Sequence, residues 1–105
     1  MWSVEYLPAA AGERAALPVD MRARLARMTD VIGQNGIASL PREWVKHLGD
    51  KLWELRVTGR DGIARAIYVT ATGQRVVIVR IFVKKTQKTP PRELELARRR
   101  AKEVE

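Results

Sequence analysis

The first half of the chain shows two kinds of hydrophobic periodicity. Residues 2–7 alternate between apolar and polar side chains, which predicts a short strand. Four apolar residues then recur at helical spacing: Met21, Leu25, Met28 and Ile32. Pro8 suits the first turn of an earlier helix, and Pro18 separates that helix from the amphipathic one. The pattern predicts a helical hairpin over about residues 8–34, ended by Asn35-Gly36.

The second half shows strand periodicity interrupted by short turns. The apolar pattern predicts three strands: residues 52–57, 63–70 and 75–85. The connections at 58–62 and 71–74 contain glycine and are short enough for antiparallel hairpins. We therefore expect a three-stranded antiparallel region over about residues 52–85.

The remaining segments complete the element order. Residues 37–51 contain proline and glycine and predict a connecting segment with one short turn of helix. Thr89-Pro90-Pro91 opens a last helix over about residues 91–104, with acidic residues near its start and basic residues near its end, as the helix dipole favours. The predicted order is β-α-α-β-β-β-α. Because no linker or repeat divides the chain, we expect one α+β domain spanning residues 1–105, with an antiparallel sheet backed by helices.

Charge is distributed unevenly along the chain. The 20 Lys and Arg and 12 Asp and Glu give a net charge of +8, and residues 1–50 hold six of each sign. Residues 51–105 hold 14 basic and six acidic side chains, a balance that attracts a polyanion such as nucleic acid. The sequence has no cysteine, no signal-peptide pattern and no apolar stretch of the roughly 20 residues that cross a bilayer. We therefore expect a soluble, cytoplasmic protein that makes no membrane contact.

Several common kinds of enzyme chemistry are excluded by composition. His47 is the only histidine and there is no cysteine, so the sequence offers no metal-ligand cluster. No glycine-rich loop precedes a predicted helix to hold a phosphate. We expect neither a metal nor a cofactor, and we interpret His47 as a surface or packing residue.

Basic residues occur instead on neighbouring predicted strands. Arg56 ends the first of the three strands, Arg65 lies within the second, and Lys84 and Lys85 end the third. Cations on apolar strands cost free energy unless they reach solvent or a partner. For a single residue, a long stem that reaches solvent at the sheet margin is a sufficient explanation. Four such residues on adjacent strands favour a shared cleft for an anion.

Strand alternation gives two of these cations specific neighbours on the same sheet face. It places Arg65 with Ile63 and Ile67. It gives Lys84 a second set of neighbours: Phe82, Arg80 and Ile78.

Three stretches of sequence carry a family resemblance. They are Leu52-Trp53-Glu54-Leu55-Arg56, Arg65-Ala66-Ile67-Tyr68 and Ile81-Phe82-Val83-Lys84-Lys85-Thr86-Gln87-Lys88-Thr89-Pro90. In this order and at this separation they resemble the phage-derived, HigB-like branch of the RelE/ParE toxin superfamily. Residues 92–100 are similar to its acidic-then-basic terminal helix. The resemblance covers residues 51–102 and is only topological over residues 1–50.

The resemblance implies a function and a set of partners. The fold would be a small RelE-like domain. Its activity would be that of a type II toxin–antitoxin toxin, a metal-independent and ribosome-dependent mRNA endoribonuclease. The implied partners are mRNA, the ribosome and a cognate helix-turn-helix antitoxin, with operator DNA bound only through the toxin–antitoxin complex.

The resemblance also implies roles for individual residues. Arg65 would contact the scissile phosphate with Arg56 supporting it, and Lys84 or Lys85 would lie near the leaving group as an acid or a base. The RNA-binding residues would be Lys88, Phe82, Tyr68 and Gln87, although a core position is the other interpretation of both aromatic residues. Glu54 is either a general base or a solvated strand carboxylate.

One departure from the family pattern and two other functions stay open. Several relatives place a catalytic or stacking Tyr or His near the C-terminus, whereas here neither follows Lys85. Either the lysines take that role or the ribosome positions the message. The alternatives to a nuclease are a ParE-like toxin that inhibits DNA gyrase and a phage-type nucleic-acid-binding protein without chemistry.

Overall fold

The computed structural model of the chain describes residues 1–84 and 88–104. Its helices and strands are β1 Ser3–Tyr6, α1 Pro8–Ala15, α2 Val19–Asn35, β2 Val45–Gly49, β3 Leu52–Gly59, β4 Gly62–Ala71, β5 Arg75–Lys84 and α3 Pro91–Ala101. The α+β class predicted from the sequence is confirmed. None of the helices in this part of the chain is long and apolar enough to span a bilayer.

The five strands form one sheet in the order β1-β5-β4-β3-β2. Strands β2, β3, β4 and β5 pair antiparallel, whereas β1 runs parallel to β5. Because β3, β4 and β5 are joined by short hairpins, as predicted, they lie side by side in the middle of the sheet. The shorter strands β1 and β2 therefore occupy its two edges.

Helix α2 packs the apolar stripe seen in the sequence against one face of the sheet. Its four stripe residues are fully buried: Met21, Leu25, Met28 and Ile32. The sheet residues in the same core are Leu55, Val57, Ala64, Ala66, Tyr68, Val76, Ile78 and Ile81. We refer to this side of the sheet as the α1/α2 face.

Helix α3 covers part of the opposite side, which we refer to as the α3 face. Its apolar contact is small: Ala97 packs with Leu52, Ile67, Val69, Val77 and Val79. Polar contacts supplement it, because Arg80 donates hydrogen bonds to Glu93 at 2.7 and 3.1 Å and Arg100 donates to the carbonyl of Val79 at 2.9 Å. The helix is therefore held by ion pairs as well as by apolar packing.

Glu13 of α1 contacts the part of the β5 edge that β1 leaves unpaired. Its Oε1 accepts hydrogen bonds from the amide of Ile81 at 3.0 Å and from Arg100 at 2.9 Å, and its Oε2 accepts one from Arg80. Strand β1 pairs only as far as Ile78. The carboxylate thus satisfies a backbone donor that β1 does not reach and connects α1, β5 and α3.

A bulge in β5 moves Ile78 to the α1/α2 face. The pairing of β5 with β4 shifts so that Val79 is an extra residue. An extra residue interrupts the alternation of side chains along a strand. Ile78 therefore lies in the α1/α2 core, whereas Phe82 packs on the α3 face. The prediction that Lys84 and Ile78 share a face is wrong for this reason.

Residues 37–51 contain a strand that the sequence did not predict. Two short 3-10 turns, Ile37–Ser39 and Arg42–Trp44, lead into β2, which pairs with β3. The prediction of a connecting segment is wrong for this strand because Lys46 and His47 interrupt its apolar positions. Its cross-strand partners on β3, not its own periodicity, hold it in the sheet.

Two glycines offer a matched test of this packing. A Cβ atom on Gly59 would lie 2.6 Å from Cγ and 2.9 Å from Cε of the buried Met21, whereas nothing lies within 4 Å of a Cβ on Gly12 in α1. We expect Gly59→Ala to lower the free energy of unfolding by about 1–3 kcal/mol through overpacking. Gly12→Ala should raise it by about 0.5–1 kcal/mol, since alanine favours the helix. Urea unfolding of both variants measures the difference, and a Gly59→Ala protein as stable as the wild type would contradict the packing described.

Candidate functional site

Antiparallel pairing brings three cationic side chains together on the α3 face. Arg56 of β3 lies opposite Arg65 of β4. Arg65 lies opposite Phe82 of β5, and Lys84 lies two residues further along that strand. Because alternate residues share a face, the three cations are neighbours across three strands. The fourth residue predicted to be catalytic, Lys85, lies outside the described residues.

Glu54 is the counter-ion of this group. It is 0% exposed, and its Oε2 accepts a hydrogen bond from Arg65 Nη1 at 3.1 Å and lies 3.8 Å from Arg56 Nε. Its Oε1 accepts a hydrogen bond from the hydroxyl of Thr89 at 2.9 Å. The interpretation of Glu54 as a solvated carboxylate is therefore wrong, because the strand turns this position under the cations rather than toward water.

The cations are not fully satisfied by this one carboxylate. Arg65 is 2% exposed and Lys84 is 8% exposed. Arg56 Nε, Arg65 Nε and Lys84 Nζ are buried and have no hydrogen-bond partner among residues 1–84 and 88–104. Buried donors without partners cost free energy. Three unsatisfied nitrogen atoms of cationic groups on one face form a site suited to an anion.

Burial and mutual repulsion lower the pKa values of two of these cations. Burial lowers the pKa of Lys84 below its usual 10.5, and the charge of Arg65 lowers it further, while Glu54 acts in the opposite direction. Burial also lowers the pKa of Arg65, against the opposing effect of Glu54. A lysine with a lowered pKa gives up its proton more readily, which is a property of general acids.

The residues predicted to bind RNA are distributed differently. Phe82 is half-buried beside Arg65, and the guanidinium carbon of Arg80 lies 5.7 Å from the centre of its ring. Lys88 is exposed beyond the end of β5. Gln87 lies outside the described residues.

Tyr68 is not brought to the cationic group. It is 2% exposed and belongs to the α1/α2 core, on the other side of the sheet from Arg65. Burial raises the pKa of its hydroxyl to about 12. We therefore leave Tyr68 out of the site and treat it as the core residue that strand periodicity also allowed.

Two residues near the site were not singled out from the sequence. Thr89 holds Glu54 from the segment that precedes α3, and Lys46 of β2 is opposite Glu54 and close enough to lower the pKa of Lys84. Strand alternation within β2 would have indicated Lys46 if that strand had been recognised. No sequence signal indicates Thr89, because its contact depends on how the chain returns to the sheet.

The chain shares its fold with solved RelE-type proteins. It is similar to the isolated RelE toxin of E. coli, with a TM-score of 0.58 and 12% identity. The match covers 94% of this chain and 98% of the RelE chain. It is similar to the YoeB-YefM complex from Staphylococcus aureus over 84% of this chain and 99% of the other, with a TM-score of 0.57 and 13% identity. The archaeal RelE-RelB complex from Pyrococcus horikoshii OT3 matches over 78% of this chain and 93% of the other, with a TM-score of 0.57 and 17% identity. The predicted RelE-like fold is confirmed.

Sequence comparison assigns the chain to a family. Residues 13–102 match the model of the phage-derived protein Gp49-like family (DUF891), and the chain belongs to that family. No curated protein shows significant sequence similarity to the chain. The narrower assignment to a HigB-like branch stays a prediction.

Lys84 gives the site a measurable cost in stability. We expect Lys84→Met to raise the free energy of unfolding at neutral pH by about 1 kcal/mol, because it removes a buried ammonium without a hydrogen-bond partner. Since the pKa of Lys84 is lower in the folded state, the unfolded chain binds more protons between that pKa and 10.5. Wild-type stability therefore rises with pH across this window. The advantage of the variant should shrink as the pH approaches 10.5.

Urea unfolding at several pH values measures this effect. The control is Lys51→Met, which removes an exposed lysine from the turn between β2 and β3 and should change stability little. A Lys84→Met protein that is less stable than the wild type at neutral pH would show that the ammonium is compensated in the folded chain.

Proposed function

We propose that this chain is the toxin of a type II toxin–antitoxin pair and that it cleaves mRNA on the ribosome. The observation that carries the proposal is the group of buried cations on the α3 face. Arg56, Arg65 and Lys84 share one carboxylate and present nitrogen atoms without partners. A phosphodiester group supplies the negative charge and the acceptor atoms that this group lacks.

The cleavage chemistry uses a nucleophile that RNA contains. The 2′-oxygen attacks the adjacent phosphorus, the bond from phosphorus to the 5′-oxygen breaks, and the products are a 2′,3′-cyclic phosphate and a 5′-hydroxyl. The protein must help to remove the proton of the 2′-hydroxyl, stabilise the extra negative charge on phosphorus and supply a proton to the departing 5′-oxygen. This reaction proceeds by acid–base and electrostatic catalysis alone.

The geometry supports a division of these tasks. Arg65 is nearly buried and held by Glu54, so its guanidinium is oriented before a phosphate arrives. Arg56 is 34% exposed in its side chain and supports the phosphate from the solvent side. Lys84, whose pKa is lowered, protonates the leaving oxygen. Lys85 stays the second candidate for the residue near the leaving group. In this scheme Lys88, Gln87 and Phe82 contact the flanking RNA.

Glu54 acts as a positioning residue in this scheme. Both of its oxygens already accept hydrogen bonds, from Arg65 and from Thr89, and the residue is fully buried. A carboxylate in that position is better placed to orient the arginine than to take a proton from the 2′-hydroxyl. It sets the direction in which Arg65 meets the phosphate.

The proposal includes partners. Solved structures with this fold include complexes described as YoeB-YefM and RelE-RelB, which supports a neutralising antitoxin for this chain. A helix-turn-helix antitoxin would also bind the operator DNA of the pair. The ribosome and its message place the activity in the cytoplasm.

The sharpest test maps RNA ends after brief induction of the chain in cells. Wild type should produce new 5′-hydroxyl ends within messages, and Arg65→Ala should reduce them by about a hundredfold or more. The double variant Lys84→Ala and Lys85→Ala should likewise abolish growth arrest. Arg27→Ala removes an exposed arginine from α2 and serves as the matched control with wild-type cutting. Circular dichroism of each purified variant shows whether it is folded.

The same experiment separates the other functions. Undiminished growth arrest in folded Arg65→Ala and in the double lysine variant would refute this site. Growth arrest without new RNA ends, together with loss of DNA supercoiling by gyrase, would identify a gyrase inhibitor. Purified message incubated with and without ribosomes tests ribosome dependence, since a ribosome-dependent enzyme cuts only when they are present.

A further inference from the structure

The α1/α2 face contains a cavity that the proposed cleavage reaction does not use. Its volume is about 460 Å³. The lining is mostly apolar and includes Trp2, Ile37, Leu40, Val45, Trp53 and Tyr68. We refer to it as the docking cavity. It lies on the opposite side of the sheet from the cationic group, because Trp53 and Tyr68 alternate with Glu54 and Ile67 along their strands.

One polar group faces the cavity. Tyr68 lines it, and its hydroxyl makes no hydrogen bond within the part of the chain that the structure describes. The hydroxyl is not among the enclosed side-chain atoms that lack a partner, so it is open to the cavity, where an occupant can offer it an acceptor. At the mouth of the cavity, Trp53 is 38% exposed, which is unusual for so large an apolar side chain. An occupant with an apolar group and an acceptor would satisfy both residues.

The cavity opens beside an unpaired strand edge. Val45, one of its lining residues, is the first residue of β2. Strand β2 is the last in the sheet order, so no described strand pairs with its outer side. An open edge next to an apolar pocket is the arrangement that binds an extended peptide, since the backbone supplies hydrogen bonds and the pocket accepts a side chain.

The surrounding charge indicates what kind of peptide fits. Arg42 lines the cavity. On the same side of the sheet, the guanidinium carbon of Arg24 lies 5.9 Å from the ring centre of Trp44, the residue that precedes β2. The chain as a whole carries a net charge of +8. Acidic side chains on either side of the apolar anchor would complement these cations.

We propose that the docking cavity and the outer edge of β2 bind an extended acidic segment of a partner protein. An aromatic or branched apolar side chain of that segment enters the cavity and contacts Trp53 and Tyr68. The apolar lining favours such a side chain over a nucleobase, whose several polar atoms would be left unpaired there. Identifying the partner with the antitoxin rests on the proposed function, whereas the binding site itself does not.

The proposal has a consequence for neutralisation. A partner held at this cavity leaves the α3 face uncovered, because the sheet lies between the two. Binding there and binding of RNA at Arg65 are therefore separable by mutation. The docking cavity supplies anchorage, and any effect on cleavage depends on what the rest of the partner reaches.

The test selects peptides of about ten residues, the length of a long strand, from a random display library on the purified full chain. We expect the recovered peptides to carry a Trp, Phe, Leu or Ile flanked by Asp or Glu. Thr70→Trp places an indole at the exposed rim of the cavity and should weaken the best peptide more than tenfold. Tyr68→Phe should weaken it about fivefold through one lost hydrogen bond. Thr72→Trp adds the same indole at an exposed turn outside the cavity and should leave affinity unchanged.

The outcomes distinguish this proposal from the proposed function. Thr70→Trp should cut RNA like the wild type, and Arg65→Ala should bind the peptide like the wild type. Absence of new RNA ends after induction of the wild type would overturn the proposed function and leave the docking cavity standing, whereas wild-type cutting by Arg65→Ala would overturn only the role given to Arg65. Recovery of no peptide, of peptides without acidic residues, or of peptides that bind Thr70→Trp equally would overturn the docking proposal. A short RNA that binds the wild type but not Thr70→Trp would assign the cavity to a nucleobase and would also overturn the docking proposal.

Discussion

The contact between Glu54 and Arg65 is the constraint on which the α3 face depends. The two side chains are 0% and 2% exposed and meet at 3.1 Å, and neither charge would be tolerated in that position without the other. Removing one partner of a buried ion pair costs about 3–5 kcal/mol, because the remaining charge is left uncompensated. The pair therefore compensates two buried charges on the neighbouring strands β3 and β4. It also orients Arg65, the central cation of the site.

The chain contains an internal comparison for this site. Arg80 has its Nε, Nη1 and Nη2 atoms bonded to Glu13 and Glu93, and the hydrogen bond to Glu93 raises its pKa. Arg56, Arg65 and Lys84 lie on the same sheet with nitrogen atoms that bond to nothing described. The ion pairs of Arg80 hold α3 against the sheet and satisfy each of its guanidinium nitrogens. The group of Arg56, Arg65 and Lys84 has buried nitrogen atoms without partners. Such atoms lower stability and are typical of sites that bind a ligand.

Periodicity predicted the parts of the fold that have a repeating environment. Helix α2 and the three long strands bury side chains at regular intervals, so their sequences show a regular alternation of apolar and polar residues. The bulge at Val79 and the short strand β2 depend on pairing with neighbours, which no local pattern records. In the same way, the sequence placed Arg56, Arg65 and Lys84 on adjacent strands but did not show that Glu54 is buried beneath them. Burial depends on what covers a residue, and Thr89 covers Glu54 from 35 positions away.

Shared fold alone does not decide the chemistry of this chain, because identities of 12–17% leave surface residues free to differ. Buried polar atoms are a stronger guide. An exposed lysine costs almost nothing and says little about function, whereas Lys84 is buried with its ammonium unbonded and beside two arginines. That arrangement destabilises the protein unless an anion binds there. In the function that we propose, a phosphate of the RNA supplies the negative charge and the acceptor atoms that the three cations lack.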